Sequence, residues 1–296
     1  MFAVNGEGDS LASIVSKGGK SEGILTFDRK DRSSAENSVE AVNGMTFQPI
    51  PLSITGERER DVTYLSGQSG SGKSYFSAEL IRQYRKAKRS VFVITDIPDK
   101  KFEPCTYLDI DDLVGIGTSY LEKFAEYKHK MAVFREVKKE LSPEERIEMQ
   151  KNIVAPPIAG KNKLELKFTE DEMATLFHDS VILFDDYENN ADIKLISFLR
   201  DHFLTKGRHW NASVIICNHS TNFGRGAKLI MGETTNFVLF SASRKRERHY
   251  FYTEYMKWKK SEITPIERML QTSRWIYIDA KNDVVLSERK GIFLDG

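Results

Sequence analysis

At 296 residues, with 40% hydrophobic and 29% charged side chains, the chain is long enough to bury one large core and too apolar to be disordered throughout. A formal net charge of +1 excludes a globally basic protein that coats nucleic acid, so a DNA-binding surface would have to arise from local charge asymmetry. Two cysteines, Cys105 and Cys217, exclude a disulfide framework and a thiolate metal site, and no apolar run approaches the 18 residues of a membrane span or the core of a secretory signal. The expectation is a soluble protein of a reducing interior, neither secreted nor membrane-bound.

Residues 1–60 are rich in Gly, Ser, Asn and charge and read as a partly flexible N-terminal arm ending in a short strand. From Val62 apolar runs of strand length alternate with helix-length segments, the pattern of a mostly parallel sheet covered by helices on both faces. Strands are predicted at Val62–Ser66, Val91–Thr95, Val181–Phe184, Ser213–Cys217 and Asn236–Phe240, with a weaker one at Thr106–Asp109. Helices are predicted at Lys73–Lys86, Asp192–Thr205 and Arg244–Trp258. The charged stretch from Ser119 to about 155 reads as a helical insertion, restarting at Ser142-Pro143-Glu144-Glu145. After Pro265 a helix is expected, then a terminal hairpin over 274–287 turning at Lys281-Asn282-Asp283. The whole of 61–296 is expected to form one α/β domain.

Two motifs carry chemistry. Val62–Ser66 runs into Gly67-Gln68-Ser69-Gly70-Ser71-Gly72-Lys73-Ser74, a complete G-x-x-x-x-G-K-[ST] between a buried strand and an amphipathic helix. Glycines there let the backbone wrap phosphates while the helix N-terminus faces their charge; Lys73 would reach the β- and γ-phosphates of ATP and Ser74 would ligate Mg²⁺. The second motif is Val181-Ile182-Leu183-Phe184-Asp185-Asp186: four apolar residues would anchor a strand whose tip holds Asp185 at the magnesium and Asp186 one step further out. There Asp186 would polarise the attacking water, as in ATP-hydrolysing machines, or it would only cap the next helix.

Downstream comes Phe198-Leu199-Arg200-Asp201-His202-Phe203-Leu204-Thr205-Lys206-Gly207-Arg208-His209-Trp210-Asn211-Ala212-Ser213-Val214-Ile215-Ile216-Cys217-Asn218-His219. A helix, a Gly-Arg-His turn and a Ser-Val-Ile strand ending in polar residues, in this order after Walker A and Walker B motifs, resemble the poxvirus-type viral genome-packaging ATPases of the FtsK/HerA P-loop superfamily. The resemblance spans roughly Val62–Phe240, apart from the insertion. It implies a P-loop NTPase fold of the RecA-like type with an additional strand between the two motif strands. It also implies ATP hydrolysis with Mg²⁺, translocation of double-stranded DNA, and a homo-oligomeric ring, pentamer or hexamer. Capsid or vertex proteins would be partners, and the setting would be the host cell interior, at a virus factory, and the virion. In such rings a cation from one subunit completes its neighbour's site. Arg208, matching the arginine of the turn, is the first candidate for that trans contact and Arg200 the second; the alternative for Arg208 is a surface pair with Asp201 or Asp186. Relatives commonly end the sensor strand with glutamine, whereas here His219 falls at that place with Asn218 before it, and either can hydrogen-bond a γ-phosphate or water.

Between Arg200 and Lys260 twelve Lys and Arg stand against four Asp and Glu, an excess of eight in a chain whose total is +1. Ser243-Arg244-Lys245-Arg246-Glu247-Arg248-His249 is the densest run and would suit a sequence-independent DNA contact, or simply a solvated helix face. The aromatics of 249–258 have a helical spacing that suits core packing better than base stacking. Two other functions remain: a small-molecule or nucleoside kinase, which would need an acceptor pocket and an arginine-rich lid, and a nucleotide-gated capsid-assembly or DNA-binding switch.

Overall fold

The computed structural model describes residues 1–28, 38–42, 44–116, 118–139, 141–153, 164–220 and 226–294. The first sixty residues contribute strands β1 (Phe2–Val4), β2 (Asp9–Ser16), β3 (Ser21–Phe27), β4 (Ser38–Glu40) and β5 (Met45–Pro49). The α/β part follows with β6 (Val62–Ser66), α1 (Lys73–Lys86), β7 (Ser90–Thr95), β8 (Thr106–Tyr107), α2 (Ile110–Leu113) and β9 (Val114–Ile116). Next come α3 (Thr118–Val137), α4 (Pro143–Lys151), β10 (Leu164–Leu166), α5 (Glu170–Phe177), β11 (Ser180–Asp185), α6 (Ile193–Lys206) and β12 (Ser213–Asn218). The chain closes with α7 (Ala227–Glu233), β13 (Asn236–Phe240), α8 (Lys245–Tyr250), α9 (Lys260–Thr272), β14 (Trp275–Asp279), β15 (Val284–Ser287) and β16 (Lys290–Phe293).

One ten-stranded mixed sheet organises the molecule, in the order β4-β16-β15-β14-β13-β6-β12-β11-β7-β8. Its centre is parallel, from β13 to β8, and its β14 side antiparallel. Strand β12 lies between β6 and β11, so the strand leading to the glycine loop and the strand ending in Asp185 are separated by one strand. This is an α/β P-loop fold with the additional strand expected from the sequence.

The central strands are buried on both faces, which explains their near-continuous apolar runs. On one face Tyr64, Ile182, Phe184, Val214, Ile216, Phe237 and Leu239 pack against α5, α6, α7 and α9. On the other, Leu65, Leu183, Ile215 and Val238 meet Phe76, Leu80, Ile81 and Tyr84 of α1.

Residues 1–60 depart from the expected arm. Strands β1, β3, β2 and β5 form a four-stranded antiparallel sheet, and Leu11, Ala12, Ile14, Leu25, Phe27 and Phe47 join the core on the α1 face. Each strand buries only a few side chains, so the polar remainder hides the pattern in the sequence. Strand β4 pairs with β16 at the edge of the large sheet, and β16 extends the expected terminal hairpin. Two further differences concern helices. Pro265 lies inside α9 rather than ahead of it. An internal proline costs about 3 kcal/mol, and the burial of Ile263, Ile266, Met269 and Leu270 offsets that. The expected helix over 244–258 is a short α8 followed by one π-helical turn, Phe251–Tyr255. The insertion forms α3 and α4 above an antiparallel β9–β10 stem, and α4 begins with the capping box of Ser142 and Glu145; its expected last residues, 154 and 155, lie outside the described set.

Two polar anchors hold the strand ends remote from the glycine loop. Asp61, fully buried, accepts from the Ser53 amide at 2.9 Å, the Tyr84 hydroxyl at 3.2 Å and Asn236 Nδ2 at 3.3 Å, with Arg58 Nη1 at 3.5 Å. Arg60 donates to the carbonyls of Phe203 (2.8 Å) and Leu204 (2.7 Å), closing the C-terminus of α6. A methyl group at Gly207 would stand 2.9 Å from Arg60 Nη1, so the Gly-Arg-His turn needs its glycine for close approach.

Asp61→Ala strips a buried arginine, a tyrosine and an asparagine of one shared acceptor, and should lower the unfolding free energy by about 3–5 kcal/mol, read from urea denaturation. A loss below about 1 kcal/mol would show that the network is dispensable.

Candidate nucleotide site

The site forms where β6, β12 and β11 end. Their parallel register sets Ser66 opposite Asn218, Leu65 opposite Cys217 and Ile216 opposite Phe184, so Asp185 emerges level with the exit of the glycine loop. Gly70 (φ +76°) and Gly72 (φ +107°) hold the left-handed backbone that turns the loop into α1. Lys73 is only 7% exposed, and its Nζ donates to the carbonyl of Gly67 at 2.6 Å, with that of Gln68 at 3.4 Å. Buried Ser71 Oγ has no hydrogen-bond partner among the described residues. A buried ammonium and an orphaned hydroxyl in a loop of backbone N–H groups suit an anionic guest.

Ser74 Oγ lies 3.5 Å from Asp185 Oδ2. Burial holds the Asp185 carboxyl above the ordinary carboxylate range; the Cys217 thiol pulls it back down, Asp186 raises it further, and the charge of Lys73 lowers it. A hydroxyl and a desolvated carboxylate side by side are oxygen ligands of the kind a hard divalent cation such as magnesium takes. Cys217 itself is buried and its thiol is pushed well up by that burial, so it behaves as a small apolar residue of β12.

Asp186 does not cap the following helix, whose N-cap is Asp192. It is exposed, takes a left-handed backbone (φ +48°), and its Oδ1 meets His219 Nε2 at 2.7 Å. The other ring nitrogen of His219, Nδ1, lies 3.4 Å from Lys73 Nζ, and its backbone N–H donates to Glu188 Oε2 at 2.8 Å. Asn218 points elsewhere: it is buried beside the phenols of Tyr64 and Tyr187, with Oδ1 unpartnered among the described residues, while its carbonyl accepts from the Gly67 amide at 3.2 Å. The structure therefore brings Lys73, Ser74, Asp185, Asp186 and His219 together, adds Glu188, and turns Asn218 away.

The two arginines lie apart from this cluster. Arg200 is buried in α6, bonded to Asp201 Oδ1 at 2.7 Å and to the Tyr187 hydroxyl at 3.1 Å. Arg208 is exposed in the 3₁₀ turn Gly207–Trp210, ahead of the first residue of β12. Six strand residues, about 20 Å, separate that end of β12 from the phosphate loop. Around Arg208 a shallow cavity of ≈ 440 Å³ is lined by Arg58, Arg89 and His209 among others. In the basic stretch Arg244, Lys245, Arg246, Lys257, Lys259 and Lys260 are exposed. Arg248 is instead buried against Glu267 (2.9 Å), Arg225 lies outside the described residues, and Trp258 stacks on Tyr252 in the core.

No protein-family profile matches the chain. An uncharacterised protein, V3, of Sputnik virophage is 23% identical over 283 residues, covering 93% of this chain and 91% of that one. The genome packaging NTPase B204 of Sulfolobus turreted icosahedral virus 2, solved with ATP-gammaS, is similar over 78% of this chain and 97% of its own, at 12% identity and a TM-score of 0.40. VirB4 of Thermoanaerobacter pseudethanolicus is similar over 98% of this chain and 97% of its own, at 11% identity and a TM-score of 0.43.

Because its folded pKa is raised, Asp185 favours the neutral form in the folded chain; its penalty is absent below the unfolded pKa and complete above the folded one. Asp185→Asn should accordingly raise the urea midpoint of the nucleotide-free chain at pH 7 and leave it nearly unchanged at pH 3. A lower midpoint at pH 7 would contradict the desolvation cause.

Proposed function

We propose that the chain is an ATPase that drives double-stranded DNA into a viral capsid, working as a ring of identical subunits. The observation that carries this reading is the convergence of Lys73 and Ser74 with Asp185, Asp186 and His219 where the central strands β6, β12 and β11 end, although Ser74 and Asp185 stand 111 residues apart in the chain.

On this reading the loop from Gly67 to Ser74 wraps the triphosphate of ATP, and the Lys73 ammonium leaves the Gly67 carbonyl for the β- and γ-phosphates. Ser74 and Asp185 would hold Mg²⁺, which neutralises phosphate charge and orients the phosphate oxygens when bound. Asp186 orients the attacking water and takes up its proton. His219, bonded to Asp186 and close to Lys73, links that acid to the phosphate end, and so is preferred to Asn218 as sensor. Arg208 lies too far from its own loop to serve it, so its charge would complete a neighbour's site, where it stabilises the transition state. Arg200, already bonded within its own subunit, is the weaker candidate. DNA and the capsid or its vertex enter through the resemblance to the poxvirus-type packaging ATPases, with the exposed part of the basic stretch as the surface for DNA phosphates.

Asp186→Asn should lower kcat by about 10²–10⁴-fold while leaving ATP affinity within a few-fold of wild type, and wild-type turnover should rise when double-stranded DNA is added. Retained turnover in Asp186→Asn, or indifference to DNA, would favour a nucleotide switch or a kinase instead. Arg208→Ala and Asp186→Asn chains, each inactive alone, should regain a measurable fraction of turnover when mixed, because one mutant supplies the acid and the other the arginine. Absence of any recovery in a mixed oligomer would remove Arg208 from the neighbour's site.

A further inference from the structure

The phosphate loop has a second flank. Lys73, Asp185 and His219 occupy the side toward β12 and β11, whereas the opposite side faces β13 and β14. Phe240, the last residue of β13, pairs with Trp275, the first of β14, one residue beyond the Ser66 level. That corner is rigidly built. Phe76 of α1 packs edge-on against Trp275 at 5.0 Å and against Phe240 at 6.2 Å between ring centroids, and the Ser241 amide donates to the Arg274 carbonyl at 2.9 Å.

Arg274, immediately before β14, projects from this corner. A methyl group at Gly72 would stand 3.9 Å from Arg274 Nη2 and 3.7 Å from Phe240 Cε1, so the guanidinium lies against the turn of the loop itself. The residue is exposed, and its guanidinium has neither an ion pair nor a hydrogen bond among the described residues. By contrast, Arg58, Arg60, Arg200 and Arg248, whose side chains are buried around the sheet, have carboxylate partners. An unpaired fork of five N–H donors on a fixed strand, beside a loop shaped for phosphates, has the chemistry of a phosphate ligand.

We propose that Arg274 is a nucleotide-binding residue acting within its own subunit, which grips the α- and β-phosphates from the nucleoside side of the loop. This rests on the reading of Gly67–Ser74 as a triphosphate site. With the terminal phosphate drawn toward the Lys73 ammonium on the β12 side, the remaining phosphates run back across the loop toward β13 and β14, where Arg274 waits. The contact is made alike with ATP and with ADP, so it supports affinity rather than the chemical step, unlike an arginine that meets the γ-phosphate.

The test is equilibrium titration of the full chain with ATP and with ADP, for wild type, Lys73→Ala, Arg274→Gln and Arg274→Lys. Arg274→Gln should weaken both nucleotides by a similar factor, about tenfold for the loss of a charge-assisted contact. Arg274→Lys should recover part of that loss, and the nucleotide-free melting temperature should not move. Unchanged ADP affinity in Arg274→Gln, or weakening confined to ATP, would overturn the assignment while Lys73→Ala still abolishes binding. A wild-type chain that binds neither nucleotide would instead sink the phosphate-site reading, and this inference with it.

Discussion

The site depends on the register of three parallel strands. Because β12 pairs with both β6 and β11, the end of the glycine-loop strand and the carboxylate at the end of β11 are fixed at one level across two strand spacings. A slip of one residue in β11 would turn Asp185 to the opposite face and set Phe184 or Asp186 in its place, since side chains alternate along a strand. What prevents the slip is burial on both faces: Val181 and Leu183 interlock with α1, while Ile182 and Phe184 interlock with α6 and its neighbours. Packing energy spread over the whole sheet thus sets the position of a few polar atoms at the ends of its central strands.

That dependence also explains what could be read in advance. The glycine loop is a local device, written in eight consecutive residues, and β6, β11, β12 and β13 are mostly apolar runs, so their type and order are legible. Harder to see were features made by contacts distant in sequence. Asp186 and His219 are 33 residues apart, and Asp186 meets the imidazole from a left-handed backbone. Glu188 was missed for the same reason, although a third acid within three residues of the pair was a signal in plain view. Asn218 and His219 could not be separated in the sequence, because which of two adjacent residues faces the loop is decided by where the strand ends.

The N-terminal sixty residues show the opposite limit. Their strands are buried over only part of their length, as at Leu11 and Ala12 of β2 and Leu25–Phe27 of β3, and a short, partly buried strand rich in Ser and Gly resembles a loop. Pro265 suggests a boundary, as prolines usually do; tertiary packing of four apolar residues keeps the helix continuous through it. Arg60 and Gly207 illustrate a third kind of invisibility, in which a glycine is required not for its dihedral angles but for the guanidinium resting on it.

Arg208 stands at the end of β12 remote from the loop that its own chain offers to phosphate. Under the proposed trans contact, that end of each subunit would meet the phosphate loop of the next copy, and in a ring the same contact repeats from subunit to subunit. Such heterologous packing has a polarity: it closes after a number of copies set by the angle between neighbours, or it runs on without end. Asymmetry inside one subunit would in this way become a direction of travel for the assembly.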